Sequence, residues 1–222
     1  MSRESFLKRV RDAAQAGQAY RVHVDPFPPD TSYVGYQGDI CEAFVAEAEA
    51  VGAHCYLVDD NVAAIETVDR LVENLEVRRS LLWEHSLLDA IGVVPMLESR
   101  SIAVHCHKSL KDLDAEQRRS IMLECEVGIT SADYAIAETG SLAVCSKPGQ
   151  ERLASLLTPV HIAVITREQI VPDIIDLFSE VGGRPLPSNL ALITGPSKTG
   201  DIELQLTTGV HGPGNVHIVV IR

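Results

Sequence analysis

The chain predicts an α/β fold: a mainly parallel sheet with helices on both faces and an antiparallel hairpin inserted into it. Three observations predict it. From Asp39 onward, short apolar runs of strand length alternate with amphipathic stretches of helical period, which is βαβ order. Right-handed crossovers make the strands of such units parallel and lay helices on either side of them. Two later apolar runs, joined by Glu138-Thr139-Gly140-Ser141, break the alternation and read as a hairpin with Gly140 at its turn.

The elements follow in order. Residues 3–15 place Phe6, Leu7, Val10 and Ala14 at helical spacing. Residues 25–38 hold Pro26, Pro28, Pro29, Gly35 and Gly38 among Phe27, Tyr33 and Tyr36, which is irregular backbone carrying aromatic contacts. Residues 1–38 therefore read as a helix and a Pro/aromatic loop packed on one domain of residues 39–222. Asp39 is the N-cap of a helix to about Val51, followed by a strand at His54–Val58, a helix at about Val62–Leu75 and a strand at Arg79–Trp83. A short helix at Ser86–Ile91, a loop around Pro95 and a strand-like run at Ile102–Val104 come next. Asp114-Ala115-Glu116-Gln117 has capping-box form and opens a helix to about Glu126, with Ile121, Met122 and Cys125 inward. The hairpin then spans 128–145. Strands at Val160–Thr166, Leu190–Thr194 and Val216–Ile221 bracket a helix at about Glu168–Val181.

Composition narrows the function. Of 222 residues, 45% are hydrophobic and 23% charged, a globular balance, and no run approaches the roughly 18 apolar residues of a membrane span. The net charge of −12 argues against nucleic acid, whose phosphates are bound mainly by Lys and Arg. Glu4, Lys8 and Arg9 stand where a secretory signal needs apolar residues, so a cytoplasmic location is expected. The five cysteines lie 14 to 51 residues apart without a Cys-x-x-Cys pair, so reduced thiols and no bound metal or cluster are expected.

Chemistry concentrates in the C-terminal half. After the apolar run 190–193 comes Thr194-Gly195-Pro196-Ser197-Lys198-Thr199-Gly200-Asp201-Ile202-Glu203, read as a loop at the carboxyl end of a buried strand. Its hydroxyls, free N–H groups and ammonium suit an anion, as does a helix N-terminus if 201–206 is helical. The order of residues is not that of a nucleoside-triphosphate loop. Ser197 or Thr199 equally suits a plain helix cap beside a solvated Lys198. Glu138, set among Ala135, Ile136, Leu142 and Val144, needs hydrogen bonds, a cation or a raised pKa if buried; it also suits capping its own turn. Thr139, Gly140 and Ser141 allow a ligand close to backbone. His211, in Gly209-Val210-His211-Gly212-Pro213, suits an acid or base near neutral pH, or a turn histidine bonded to backbone. His105 and His107 share one side if extended, and no role is assigned to them.

Taken together, the run 128–142, His161-Ile-Ala-Val-Ile, Thr194-Gly-Pro-Ser-Lys-Thr-Gly-Asp-Ile-Glu and Gly209-Val-His-Gly-Pro resemble the lactate-utilisation protein C family of LUD-domain proteins. The resemblance implies a Rossmann-like fold of the sugar-phosphate isomerase and CoA-transferase class. It implies a bacterial system that oxidises L-lactate to pyruvate, with iron–sulfur clusters held by partner proteins and no cofactor on this chain. On the matching positions it implies that Glu138, Thr139, Gly140, Ser197, Lys198, Thr199, Asp201, Glu203, His211 and Gly212 are site residues and assigns them no mechanism; the readings of the residues above make Glu138 and His211 the catalytic candidates. The ligand-binding candidates, from the turn and the loop together, are Thr139, Gly140, Ser141, Thr194, Gly195, Ser197, Lys198, Thr199, Asp201, Glu203 and Gly212. A free-standing enzyme acting on a phosphorylated or CoA-linked molecule, or a scaffold without chemistry, stays open.

Overall fold

The computed structural model describes residues 2–18, 38–182, 187–200, 206–208 and 212–222. The chain divides into two units, Met1–Val34 and Gly35–Arg222. The first holds α1 (Arg3–Gln18). The Pro/aromatic loop lies outside the described residues up to position 37.

In the second unit, α2 (Ile40–Ala50) opens on Asp39, whose Oδ1 accepts the N–H groups of Cys41 at 2.8 Å and Glu42 at 3.4 Å. These bonds, with Arg167 and Arg222 nearby, hold its carboxyl below the ordinary aspartate value against the effect of burial. β1 (His54–Val58) and α3 (Asn61–Asn74) follow, then β2 (Arg79–Leu82), α4 (Ser86–Ala90), α5 (Val93–Ser99) and β3 (Ala103–His105). The expected loop around Pro95 is thus a helix. Pro95 is its third residue, within the first turn, where a missing N–H removes no intrahelical bond. After α6 (His107–Leu110), α7 (Ala115–Leu123) carries the predicted capping box: Asp114 accepts from Glu116 and Gln117, and Gln117 accepts from the Asp114 N–H.

The expected hairpin over 128–145 is divided between two sheets. β4 (Val127–Thr130) joins the main sheet, whereas β5 (Tyr134–Ile136) turns away and pairs antiparallel with β6 (Ser141–Cys145). Ser131-Ala132-Asp133 makes the turn between them, and Asp133 Oδ2 accepts the Cys145 N–H at 2.7 Å. α8 (Leu153–Leu156), β7 (Val160–Thr166), β8 (Ile170–Val171), α9 (Ile174–Gly182), β9 (Leu190–Ile193), β10 (Lys198–Gly200), β11 (Leu206–Thr208) and β12 (Asn215–Ile221) complete the order. α9 starts six residues later than expected. Glu168 falls in a 3-10 turn, Pro172 breaks the chain from β8, and Asp173 caps the helix through the N–H groups of Ile175 and Asp176.

Six strands form an all-parallel sheet in the order β1-β12-β7-β4-β2-β3, and β8-β5-β6-β9 form a second sheet. Along β7 and β12 alternate residues serve opposite faces. Ile162, Val164, Val219 and Ile221 pack with α3, α4 and α5, and Ala163, Ile165, Ile218 and Val220 pack with α2 and the second sheet. Each such side chain, fully buried, contributes about 1.5–3 kcal/mol. α8 lies so close to β4 that a Cβ on Gly128 would come within 1.6 Å of the Ala154 carbonyl oxygen. β2 sends the chain outward to β3, and its neighbour β4 sends it back toward β7, so the topological switch point lies between their carboxyl ends. No helix among the described residues is long and apolar enough to cross a membrane.

Candidate functional site

The motif segments meet, but at the amino end of the parallel sheet. β9 belongs to the second sheet, antiparallel to β6, and is half-buried, so Thr194 does not leave the carboxyl end of a buried parallel strand as expected. Lys198 starts β10, which pairs with β11, so residues 198–200 of the expected loop are strand, as are residues 206–208. The hydroxyls of Thr139, Ser141 and Thr194 form a chain, with Thr139 donating to Ser141 at 2.8 Å and Ser141 bonded to Thr194 at 2.7 Å. The Ser197 N–H donates to the Pro213 carbonyl at 2.9 Å, and a Cβ on Gly212 would lie 3.3 Å from the Ser197 Cβ. Gly214 donates to Pro159, just before β7, which fixes this end of the sheet.

Glycine makes the approach possible at two positions. Gly140 has φ +61°, and a Cβ there would lie 2.1 Å from the Ala48 amide nitrogen of α2. Gly195, at φ +73°, similarly abuts the Val51 carbonyl at the end of α2. Lys198 Nζ donates to that same carbonyl at 2.9 Å, a cation placed where helix carbonyls are unpaired and the helix dipole is negative. Glu138 and Thr139 are exposed at the tip of the hairpin, so burial does not act on the Glu138 carboxylate as expected; its N–H donates to the Pro172 carbonyl. Asp201, Glu203 and His211 lie outside the described residues, as does the side chain of Thr199.

A second cluster, unseen in the sequence, occupies the carboxyl ends of β2 and β4. Glu84 accepts the Lys108 N–H at 2.8 Å and pairs with its ammonium at 3.1 Å. Burial works to raise the Glu84 carboxyl, and these Lys108 contacts outweigh it, leaving the carboxyl below its ordinary value. Asp133 pairs with Lys147, and His107 Nδ1 meets Glu151 Oε1 at 2.5 Å. Burial pushes the half-buried His85 imidazole down, partly countered by Asp133. These residues are scattered over 84–151, and only strand order brings them together. His105 ends β3 and His107 opens α6, so they do not share one strand face. Among the described residues no group of three or more His, Cys, Asp or Glu is placed to hold a metal.

Comparison with known proteins agrees with this architecture. A DUF162 family protein from Deinococcus radiodurans, whose crystal structure is known, superimposes with a TM-score of 0.58 at 20% identity, over 82% of this chain and 96% of that one. "Lactate utilization protein C" of Halalkalibacterium halodurans is 30% identical over 162 residues, covering 71% of this chain and 68% of its own length. The protein of the same name from Geobacillus sp. (strain WCH70) is 28% identical over 231 residues, covering 99% and 95%. The model of the LUD domain matches residues 41–221, which takes in both sheets and both clusters, and the chain belongs to the LUD domain family.

Proposed function

We propose that the chain serves lactate utilisation, the role named for its relatives, as a component of a system that oxidises L-lactate to pyruvate with iron–sulfur partner proteins. In this reading it binds an anionic small molecule where the 138–141 turn meets the 194–198 segment. The observation that carries the reading is the Ser141–Thr194 contact at 2.7 Å, which joins segments 53 residues apart that the family resemblance singles out. Thr139 offers an exposed hydroxyl there, and Lys198 keeps further N–H groups beyond the one given to Val51. Gly212, packed beside Ser197, puts His211 next in sequence to the same place. Glu138 and His211 are the proposed acid–base pair, Glu138 exposed at the hairpin tip and His211 able to exchange a proton near neutral pH.

The test is lactate-dependent reduction of an artificial electron acceptor by the iron–sulfur partners, with and without this protein, alongside a pull-down. Association with stimulation is expected, and Thr194→Val should reduce the stimulation at least tenfold while the protein stays folded. Absence of both association and stimulation overturns the proposal. Stimulation that survives Thr194→Val, Glu138→Gln and Lys198→Ala would leave the chain a scaffold.

A further inference from the structure

At the switch point a small chamber and an open groove share a wall. The chamber, of about 120 Å³, is lined by the apolar side chains of Leu81, Leu82, Trp83, Leu110, Met122 and Ala154. The groove, of about 590 Å³, runs past Ser146, Lys147, Arg152, Ser188 and Asn189. His107, Glu151 and Leu153 line both. An apolar cavity of about 150 Å³ holds a benzene molecule, so the chamber has the scale of one ring or a short chain.

The charge around these spaces runs against that of the molecule. The chain carries a net charge of −12. Yet the described residues lining the two spaces include Lys111, Arg118, Lys147 and Arg152, against one carboxylate, Glu151, which His107 already pairs. Lys147 is shared with Asp133, whereas Arg152 is exposed beside the groove. The location is the crevice where open α/β sheets take their ligands.

We propose that chamber and groove form one binding site for an amphipathic organic anion. Its apolar part lies beside Trp83, and its carboxylate or phosphate lies between Lys147 and Arg152. This site is separate from the motif cluster at the other end of the sheet and does not rest on the function proposed for it.

Trp83 is the single tryptophan of the chain and is buried against the chamber, its Nε1 donating to the Glu151 carbonyl at 2.9 Å, so its emission reports occupancy. The full chain is titrated with 4-bromobenzoate, 4-bromophenyl phosphate and 4-bromobenzylammonium, whose bromine quenches indole emission, and with inorganic phosphate. Saturable quenching by one or both anions and none by the ammonium is expected, the stronger anion identifying carboxylate or phosphate as the headgroup. Competition by inorganic phosphate alone would assign the phosphate. The Lys147→Gln/Arg152→Gln double variant should weaken the apparent Kd at least tenfold, with circular dichroism unchanged. Leu153→Asp, an exposed substitution on the shared wall, should do the same. No saturable quenching, equal quenching by the ammonium, or unchanged affinity in both folded variants overturns the proposal.

Discussion

His161 and His217 show what single side chains cost and control in this fold. His161 is fully buried, bonded through Nε2 to Thr130 at 2.8 Å, with Nδ1 unpartnered. His217 stacks on His54 with ring centroids 5.0 Å apart and meets the Tyr56 hydroxyl at 3.2 Å. Burial, with a smaller push from a neighbouring imidazole, lowers both to about 4 from an ordinary value of 6.5. The unfolded chain therefore binds more protons than the folded one between those values. Their contribution to stability is complete above about pH 6.5 and is lost as the pH falls toward 4. Urea midpoints measured from pH 7 to 4 should fall steadily, and the His217 ring resonances should not titrate between pH 7 and 5. Gly140→Ala should cost about 2 kcal/mol or more in urea unfolding, because its Cβ would meet α2 backbone and its φ is positive. Gly140 was legible as a turn glycine in the sequence, but its contact with α2 was not, since nothing local encodes which helix the hairpin will touch. Glu138 misled for the same reason: its apolar neighbours in sequence lie in β5 and β6 and are buried in the core clusters around that sheet, while the carboxylate is left exposed at the tip.

Elements with their own capping chemistry were readable. Asp39 and Asp114 announced α2 and α7, and β1 and β7 have the bounds their runs indicate, β7 as a strand buried along nearly its whole length and therefore mostly apolar. α9 was misplaced because its cap, Asp173, follows Pro172 and the two-residue β8 rather than the end of β7. Asp173 is buried, so Asp173→Ala should destabilise the protein by about 1–2 kcal/mol, read as a lowered urea midpoint with an unchanged slope. Lys198→Ala at the exposed end of α2 should cost less, about 0.3–1 kcal/mol. A larger loss would mean that Lys198 holds the motif segments together and does more than cap the helix.

For the molecule as a whole, the class of fold was in the sequence and the order of the strands was not. Alternating runs specify βαβ units, but they do not say that β12 inserts between β1 and β7, and that insertion decides which loops share an end. It brings the motif cluster to the amino end, and the pairing of β2 with β4 gathers Glu84, His85, Asp133 and Lys147 at the other. Amide exchange should be slowest in β7 and β12, which are bonded on both sides and buried on both faces, and faster in the edge strands β1 and β3. α2 runs between the two ends. At 1.5 Å per residue its 11 residues make a rod of about 16 Å. One tip bears on Arg167 and Arg222 through Asp39, and the other is gripped by Gly195 and Lys198 at Val51. One short helix thus ties the carboxyl end of the parallel sheet to its amino end, where the motif segments meet.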